Sequence, residues 1–571
     1  MPKNTVLKLV KNKHKDSKTQ GHKGLKILFL VSSCLSGFLA KLFMLFFTHL
    51  QPLSRGKFKS FSPLGRGLRG GLKLKDQNKY YLAIKSLSTL VLYFILLCNI
   101  AFAADVNEPL INSEWVYYSL WKLDANGLLP TFFSNMRPYN REEIAHLISE
   151  LKTKIDNGTI KPKPYELKLI NKMANEFVDE SRLKMRGSIF TGKYEKPSVN
   201  LWGSAFYQPT DYIELYEEVD IQRGREVIGS EGKSASMRLN PWKFDYTADF
   251  QRAFVRFHSR MFEALLGRQT LFWGPGYDGS LIISDNSPPL DMILLGGKFG
   301  PLKFVSFSAP LDKMWNEHGD PPYRYLANRY LAGHRIDWIV NSKLEAGLSE
   351  VILYGGEAEY MELYYLNPIL PYYANQYNSD LDDNSLVSFD ISLKPKKGYK
   401  TYFQFIVDDF NYESYDPNAL GYIFGIYASD PFGIQKTDLR AEYTRVDSWT
   451  YTHLEAENQY THYGWVIGHH LGPDADQILV ELCRMLNVDS RIKISYAFNR
   501  EGSRTVADRY RGEDYKKMDF PSGEVEIRHT IGLKFLWESL RGIQAEASFK
   551  SCFRGNDSIE NEIRAGIGYL W

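Results

Sequence analysis

From residue 182 to the end of the chain, apolar and polar positions alternate with a period of two, the period of a half-buried strand. The run EVEIRHTIGLKFLW sets Val525, Ile527, Ile531, Leu533, Phe535 and Trp537 on one face, and Glu526, Arg528, Thr530 and Lys534 on the other. RIKISYAFNR repeats the pattern with Ile492, Ile494, Tyr496 and Phe498 against Lys493, Ser495 and Asn499. RGIQAEASFK sets Ile543, Ala545, Ala547 and Phe549 against Gln544, Glu546, Ser548 and Lys550. The final run, EIRAGIGYLW, sets Ile563, Ala565, Ile567, Tyr569 and Trp571 on one face. In a soluble sheet such a strand would be an exposed apolar edge, which invites aggregation. Long strands with one apolar and one polar face predict a transmembrane antiparallel β-barrel of the outer-membrane type. Such a sheet must close, because every backbone amide in lipid needs a partner. Soluble sandwiches alternate as well, over shorter strands.

About eighteen strands are predicted, near 182–192, 198–208, 212–222, 246–258, 261–269, 291–298, 301–309, 329–340 and 342–354, then 386–394, 398–408, 419–428, 436–447, 477–486, 490–500, 524–537, 541–553 and 560–571. A strand at 462–471 is refused, partly to keep the parity of the loops. Connections after even-numbered strands are tight, as at Ser259-Arg260 and Asn341. Those after odd-numbered strands are often long: 223–245, 270–290, 310–328, 355–385, 448–476 and 501–523. Barrels of this type have short periplasmic turns and long outer loops, so the long connections are expected outside and Trp571 closes the ring on the inside.

Ahead of the strands, residues 105–181 carry a helical period. Val116, Leu120 and Leu123 share a face between a Ser113 cap and Gly127. Asn140 and Glu143 form a capping-box-like pair before Ile144, Leu147, Ile148 and Leu151, which fall at i, i+3, i+4 and i+7. A third helix follows Pro164, with Ile170, Met173 and Phe177 on one side. These stripes predict a small N-terminal helical bundle on the periplasmic side.

The charge divides unevenly. Residues 1–85 hold 18 Lys and Arg against two Asp, which leaves 52 basic and 65 acidic residues for 86–571, so a nucleic-acid partner is not expected of the main body. SLSTLVLYFILLCNIAFAA after Lys85 has a basic flank, an apolar run and an A-x-A site. It reads as a signal peptide over 79–104, cut after Ala103 or Ala104, with a transmembrane anchor as the other reading. The basic extension 1–78 reads as a gene-model artefact or as a real anchor. Cys483 and Cys552, outside the apolar leader that holds Cys34 and Cys98, are read as unpaired.

The most distinctive stretch is LLGRQTLFWGPGYDGSLIISDNSPPLDMILL, residues 265–295. Gly274-Pro275-Gly276 makes a tight turn after an aromatic ring, and Asp278, Asp285 and Asn286 can bond hydroxyls or cap amides. Gly267-Arg268-Gln269, Trp273-Gly274-Pro275-Gly276 and Ser284-Asp285-Asn286 resemble the capsule assembly protein Wzi family. YYLNPILPYY around Pro368, DDNSLVSFD and GWVIGHHLGPDADQ are similar to its later blocks, and the resemblance runs over about 105–571. It implies an eighteen-stranded outer-membrane barrel with a periplasmic helical bundle, and a lectin-like role in attaching capsular or exported polysaccharide to the cell surface.

Sugar polymers offer hydroxyls and apolar C–H faces, so a site needs aromatic rings beside short carboxylates and amides. Loops 270–290, 355–385 and 448–476 combine them, and Trp273, Tyr277, Asp278, Asp285, Asn286, Tyr372, Tyr373, Asn375 and Asp474 are expected to shape or line a surface polysaccharide site. Gly267, Arg268, Gly274, Pro275, Gly276, Ser284 and Pro368 are expected to be structural. Trp273 also reads as a plug of its own loop, and Tyr364 and Tyr365 as interface aromatics. The rival function is a porin-like channel for small solutes or sugars, since Lys493, Gln544 and Glu546 suit a wet lumen. An enzyme is not expected, for the chain has neither H-E-x-x-H nor G-x-S-x-G. His453, His462, His469 and His470 with Asp474 and Asp476 have no standard metal spacing, and no cofactor is expected. The remaining expected partners are outer-membrane lipid and, during biogenesis, the barrel-assembly machinery.

Overall fold

The computed structural model describes residues 109–110, 114–177, 184–192, 198–210, 212–223, 246–259, 261–318, 323–379, 383–410, 417–508, 519–555 and 558–570. The leader, the basic extension, the Ser113 cap and Trp571 lie outside these residues.

The chain is mainly antiparallel β. The long strands are β1 (Lys184–Gly192), β2 (Ser198–Thr210), β3 (Ile213–Arg223), β4 (Tyr246–His258), β5 (Phe262–Gln269) and β6 (Leu290–Phe299). Next come β7 (Leu302–Pro310), β8 (Tyr323–Asn341), β9 (Leu344–Gly356), β10 (Asn384–Leu393), β11 (Tyr399–Asp409) and β12 (Ala419–Ser429). The series ends with β13 (Thr437–Val446), β14 (Ala475–Met485), β15 (Ser490–Glu501), β16 (Glu526–Glu538), β17 (Gly542–Arg554) and β18 (Ile559–Leu570). Neighbours in chain order pair, and β18 pairs with β1, Ile567 opposite Ile189, so the ladder returns to its start.

The alternation read in the sequence has the expected sides. Ile527, Ile531, Leu533 and Trp537 on β16, and Ile563, Ile567 and Tyr569 on β18, are exposed on the outer wall. That is where lipid replaces water as the solvent of an outer-membrane barrel. Among the described residues no helix is long and apolar enough to cross a membrane.

The lumen is less uniform than alternation suggests. Along β6 to β12 its inner wall is an apolar core: Leu294, Val305, Phe307, Leu331, Val351, Leu353, Ile406 and Ile423 pack with Trp273, Leu281 and Ile283 from the β5–β6 connection. Buried charge is set into the same wall. Arg335 on β8 bonds Asp337 with Nε at 2.9 Å and Asp390 on β10 with Nη1 at 2.6 Å, and all three are sealed from solvent.

Helices α1 (Glu114–Ala125), α2 (Arg141–Asp156) and α3 (Pro164–Phe177) share a second core, with Val116, Leu120, Leu123, Ile144, Leu147, Ile148, Leu151, Ile170, Met173 and Phe177 buried as the stripes predict. Gly127, at φ 72°, ends α1, with the Leu128 amide bonded back to the Leu123 carbonyl at 3.0 Å. The capping box does not form. Asn140 makes no side-chain cap bond, and Glu143 turns instead to Lys303 at 3.5 Å and Lys298 at 3.6 Å. Tethering the bundle to the strands outweighs a local cap here.

This helical unit sits at the tight-turn end. Lys122 pairs with Asp438 at 2.6 Å, Gly398 donates to the Ala125 carbonyl at 2.8 Å, and Lys172 donates to the Glu538 carbonyl at 2.6 Å.

Two loop expectations change. Region 310–328 is not a plain loop: Met314–His318 is a strand pairing with the outer part of β8, Asn316 opposite Tyr325. Asn316 and Glu317 read as loop residues, but the paired backbone carries the ladder beyond β7. Near 462–471, two-residue strands Thr461–His462 and Trp465–Val466 make a hairpin apart from the wall. Cys483 and Cys552 are free thiols.

Candidate functional site

The β5–β6 connection leaves the long-loop end and folds into the lumen. Phe272–Trp273 pairs with Met136–Arg137, which enters from the helical end, Met136 opposite Trp273. The two segments thus meet inside the wall. The Gly274 amide donates to the Asn135 carbonyl at 2.8 Å, and Arg137 Nη2 to the Gly276 carbonyl at 2.8 Å. Asn135 in turn holds the wall, donating to Asp390 at 2.9 Å and accepting from Ser392 at 2.8 Å.

The motif glycines follow from crowding. Gly274 has φ 139°, and a Cβ there would lie 2.6 Å from the Gln404 side chain. A Cβ on Gly276 would strike the Gly279 carbonyl. Pro275 stands between these two crowded positions. Wall carboxylates and amides tie down the turn. Glu442 accepts from the Tyr277 amide at 2.8 Å and the Asp278 amide at 3.0 Å, while Gln404 donates to the Trp273 carbonyl at 3.0 Å. Gly267 and Arg268 lie on β5; Arg268 makes a two-armed pair with Asp291 across the strand, each bond 2.7 Å.

From above, the β13–β14 connection clasps the same plug. Tyr451 and Tyr460 donate to the Leu281 and Ile282 carbonyls at 2.5 and 2.6 Å. The Ser284 amide donates to the Ile467 carbonyl at 2.9 Å, and Asn286 Nδ2 to the Val466 carbonyl at 2.8 Å. His470 meets Asp278 at 3.0 Å. Burial alone would raise the Asp278 carboxyl, but the His470 hydrogen bond holds it below its ordinary value. Burial would lower His470, and Asp278 raises it instead. His469, buried beside it, is pushed down to about 3 by desolvation. His462 bonds Asp312 at 3.2 Å. The loop histidines thus serve separate contacts, and among the described residues no cluster of three or more His, Cys, Asp or Glu could hold a metal.

The expected site residues divide into three groups. Trp273, Tyr277, Asp278, Asp285 and Asn286 belong to the plug. Trp273 is fully buried against Phe307, Tyr277 bonds Glu481 at 2.8 Å, and only Asp285 is exposed. Asp474 is fully buried and gathers the outer loops, accepting from Ser448 at 2.6 Å, Ser522 at 2.6 Å and the Arg504 amide at 3.2 Å.

Tyr372, Tyr373 and Asn375 lie elsewhere, on α4 (Tyr372–Ser379), which packs on the outside of the wall. Tyr372 is buried against His334 and Tyr365, and Glu350 caps the helix through the Tyr372 and Tyr373 amides at 3.0 and 2.7 Å. Tyr373 is exposed and Asn375 half-buried, with Pro368 in the turn just before. The nine residues thus fall in separate places, and burial gives Trp273, Tyr372 and Asp474 positions that hold loops and keep their side chains from solvent.

The sequence profile of capsule assembly protein Wzi matches residues 196–556, more than half of the chain. The chain belongs to the capsule assembly protein Wzi family.

Among solved structures it is similar to Wzi of Escherichia coli, described as an outer membrane protein involved in group 1 capsule assembly and as a carbohydrate-binding β-barrel. The identity is 15%, the match covers 81% of this chain and 98% of that one, and the TM-score is 0.57. It is also similar, at TM-score 0.41 and 11% identity over 68% of this chain and 94% of that one, to OccK3 (OpdO) of Pseudomonas aeruginosa. Curated protein sequences give no match. The motif blocks that carry the Wzi resemblance meet in space, since the SDN run at 284–286 bonds the GWVIGHHLG run at 464–472.

Sequence reasoning missed the outer hairpin of Met314–His318 and β8. Tyr323 and Trp315 are 57% and 56% exposed, Tyr323 stacks on Tyr325, and Arg324 lies 4.8 Å over Trp315. Tyr325 donates to Glu457 at 2.7 Å and Asn316 to Glu455 at 2.6 Å. The signal was present, as WNE and YRY in one long connection, but lay outside the motif blocks.

Proposed function

We propose that this protein sits in the outer membrane of a Gram-negative cell and binds capsular or other exported polysaccharide at its long-loop end, in capsule assembly. The observation that carries the reading is the outer hairpin. Its inner face presents the rings of Tyr323 and Tyr325 beside Glu455 and Glu457, over a lumen filled from both ends, an arrangement suited to holding a polymer. Membership of the Wzi family and the likeness to a barrel described as carbohydrate-binding support it. Tyr323 and Tyr325, on one face of the hairpin, offer ring faces, and Glu455 beside them offers a partner for hydroxyls, while the buried Asn316 and Glu457 hold the hairpin in place. Asp285, Asn286, Tyr373 and Asn375 extend the candidate surface, Tyr277 and Asp278 line the space beneath it, and Trp273, Tyr372 and Asp474 shape it.

The reading includes finer points. With Met314–His318 taken as the outer continuation of β7, eighteen strands cross the membrane. The helical unit lies on the periplasmic side, the apolar outer wall meets lipid, and a leader cut after Ala103 or Ala104 directs export and is then removed. The assembly machinery then inserts the barrel. The protein works by binding, without catalysis.

Binding of the purified, detergent-held protein to immobilised capsular polysaccharide from its own cell tests the proposal. Tyr323→Ala with Tyr325→Ala should weaken binding about tenfold, the scale of losing stacked rings. Heat-modifiable mobility should be unchanged. Undiminished binding by that variant would remove the hairpin from the site.

A further inference from the structure

Beside the plug, between α1 and the inner faces of β13 to β18, lies a cavity of about 650 Å³. This is within the range of small-molecule sites. Its walls combine aromatic rings, Trp121, Tyr277 and Tyr427 among them, with many charged groups.

The carboxylates there nearly all have cations. Glu114 pairs with Lys493 at 2.7 Å and Lys534 at 3.1 Å, and Glu546 pairs with Lys534 at 3.2 Å. Glu481 pairs with Lys493 at 3.5 Å, Asp438 with Lys122 at 2.6 Å, and Glu562 with Arg564. Two cations on the same wall have no such partner among the described residues. Arg440, on β13, is 7% exposed. Its guanidinium lies 3.5 Å from the Tyr277 ring centre and 4.6 Å from that of Trp121, and its Nε has no hydrogen-bond acceptor. Lys550, on β17, lines the exposed rim of the cavity without an ion pair.

A buried guanidinium without acceptors is costly, and its planar fork suits a carboxylate held in two hydrogen bonds. The neighbouring rings supply flat apolar faces of the kind that pack against the C–H side of a pyranose. We propose that this cavity is a binding site for a short acidic saccharide, one carboxylate held by Arg440 and a second by Lys550, with a sugar ring packed beside Tyr277. The anionic half of this assignment rests on the two unpaired cations. The saccharide half rests on the proposed function.

Titration calorimetry of the full mature protein in detergent tests it, with digalacturonic acid as probe, maltose as the neutral disaccharide and glutarate as a dicarboxylate that is not a sugar. Digalacturonate should bind at least about tenfold more tightly than either, the worth of one charge-assisted hydrogen bond or one stacked ring. Arg440→Gln and Lys550→Gln should each weaken it by about tenfold. Should Arg440→Gln fail to assemble, Ser548→Trp, which fills the cavity from β17, should abolish binding in its place. Equal binding of maltose or glutarate, or an affinity untouched by Lys550→Gln and Ser548→Trp, would overturn the assignment. The outer-hairpin variant Tyr323→Ala with Tyr325→Ala should keep full affinity for digalacturonate. Loss there would place the disaccharide in the loops and overturn the cavity site, whereas failure of polymer binding alone would leave it standing.

Discussion

Replacing residues 272–286 and 129–137 together by short glycine-serine linkers should turn a silent barrel into a conducting one. The two segments meet inside the wall through the Trp273–Met136 pairing and the Gly274–Asn135 bond. Leu281 and Ile283 fill the remaining width against β6 to β12. A ring of this size without filling leaves an aqueous channel. In planar bilayers the unaltered protein should show no discrete steps, and the double replacement should show large ones. Replacing 272–286 alone should give smaller steps, because Ser134 and Asn135 stay anchored to Glu345 on the inner wall at about 3.1 Å. Porin-like steps from the unaltered protein would contradict the plugged lumen and favour the channel reading.

The second large effect concerns Arg335. Among the described residues it is the one cation bonded to Asp337 and Asp390, all out of solvent. Arg335→Ala leaves two carboxylates facing each other without a counter-charge, which costs about 3–5 kcal/mol for a buried pair broken on one side. Asn135→Ala removes one donor to Asp390 and should cost only about 1–3 kcal/mol. The temperature at which the folded form disappears on semi-native gels should fall steeply for Arg335→Ala and modestly for Asn135→Ala. Equal, small shifts would mean that water reaches the trio.

The wall was legible in the sequence because membrane and lumen impose a strict period of two. On β16, Ile527, Ile531, Leu533 and Trp537 are exposed on the outer wall as read, and Lys534 turns inward to Glu114. Helix stripes were legible for the same reason, with a period set by one buried face. The plug was visible only as an odd motif. Gly274 is demanded by Gln404, which is far away in sequence, so no local pattern could reveal that crowding, whereas Gly276 is crowded by Gly279 in the same turn.

Glu442 and Gln404 look like ordinary wet-lumen polar residues along their strands. In space they bond the plug backbone at Tyr277, Asp278 and Trp273. Tyr372 and Asn375 sit in a long outer connection, and composition alone does not show that the segment turns down over His334 and Glu350 on the outer wall. Asn140 and Glu143 have capping-box spacing, yet two lysines on neighbouring strands compete for the carboxylate and win. Local rules failed where a distant partner offered a stronger contact.

The central claim, that the long-loop end holds polysaccharide on the cell, is tested most directly by measuring capsular polymer in two fractions, cell-bound and free in the medium. The cells are a strain lacking this protein, the same strain with the protein restored, and the strain carrying Tyr323→Ala with Tyr325→Ala. Polymer should move from the cells to the medium in the first and third strains and return to the cells in the second, with total polymer unchanged. Full retention of polymer by cells that lack the protein would contradict the account.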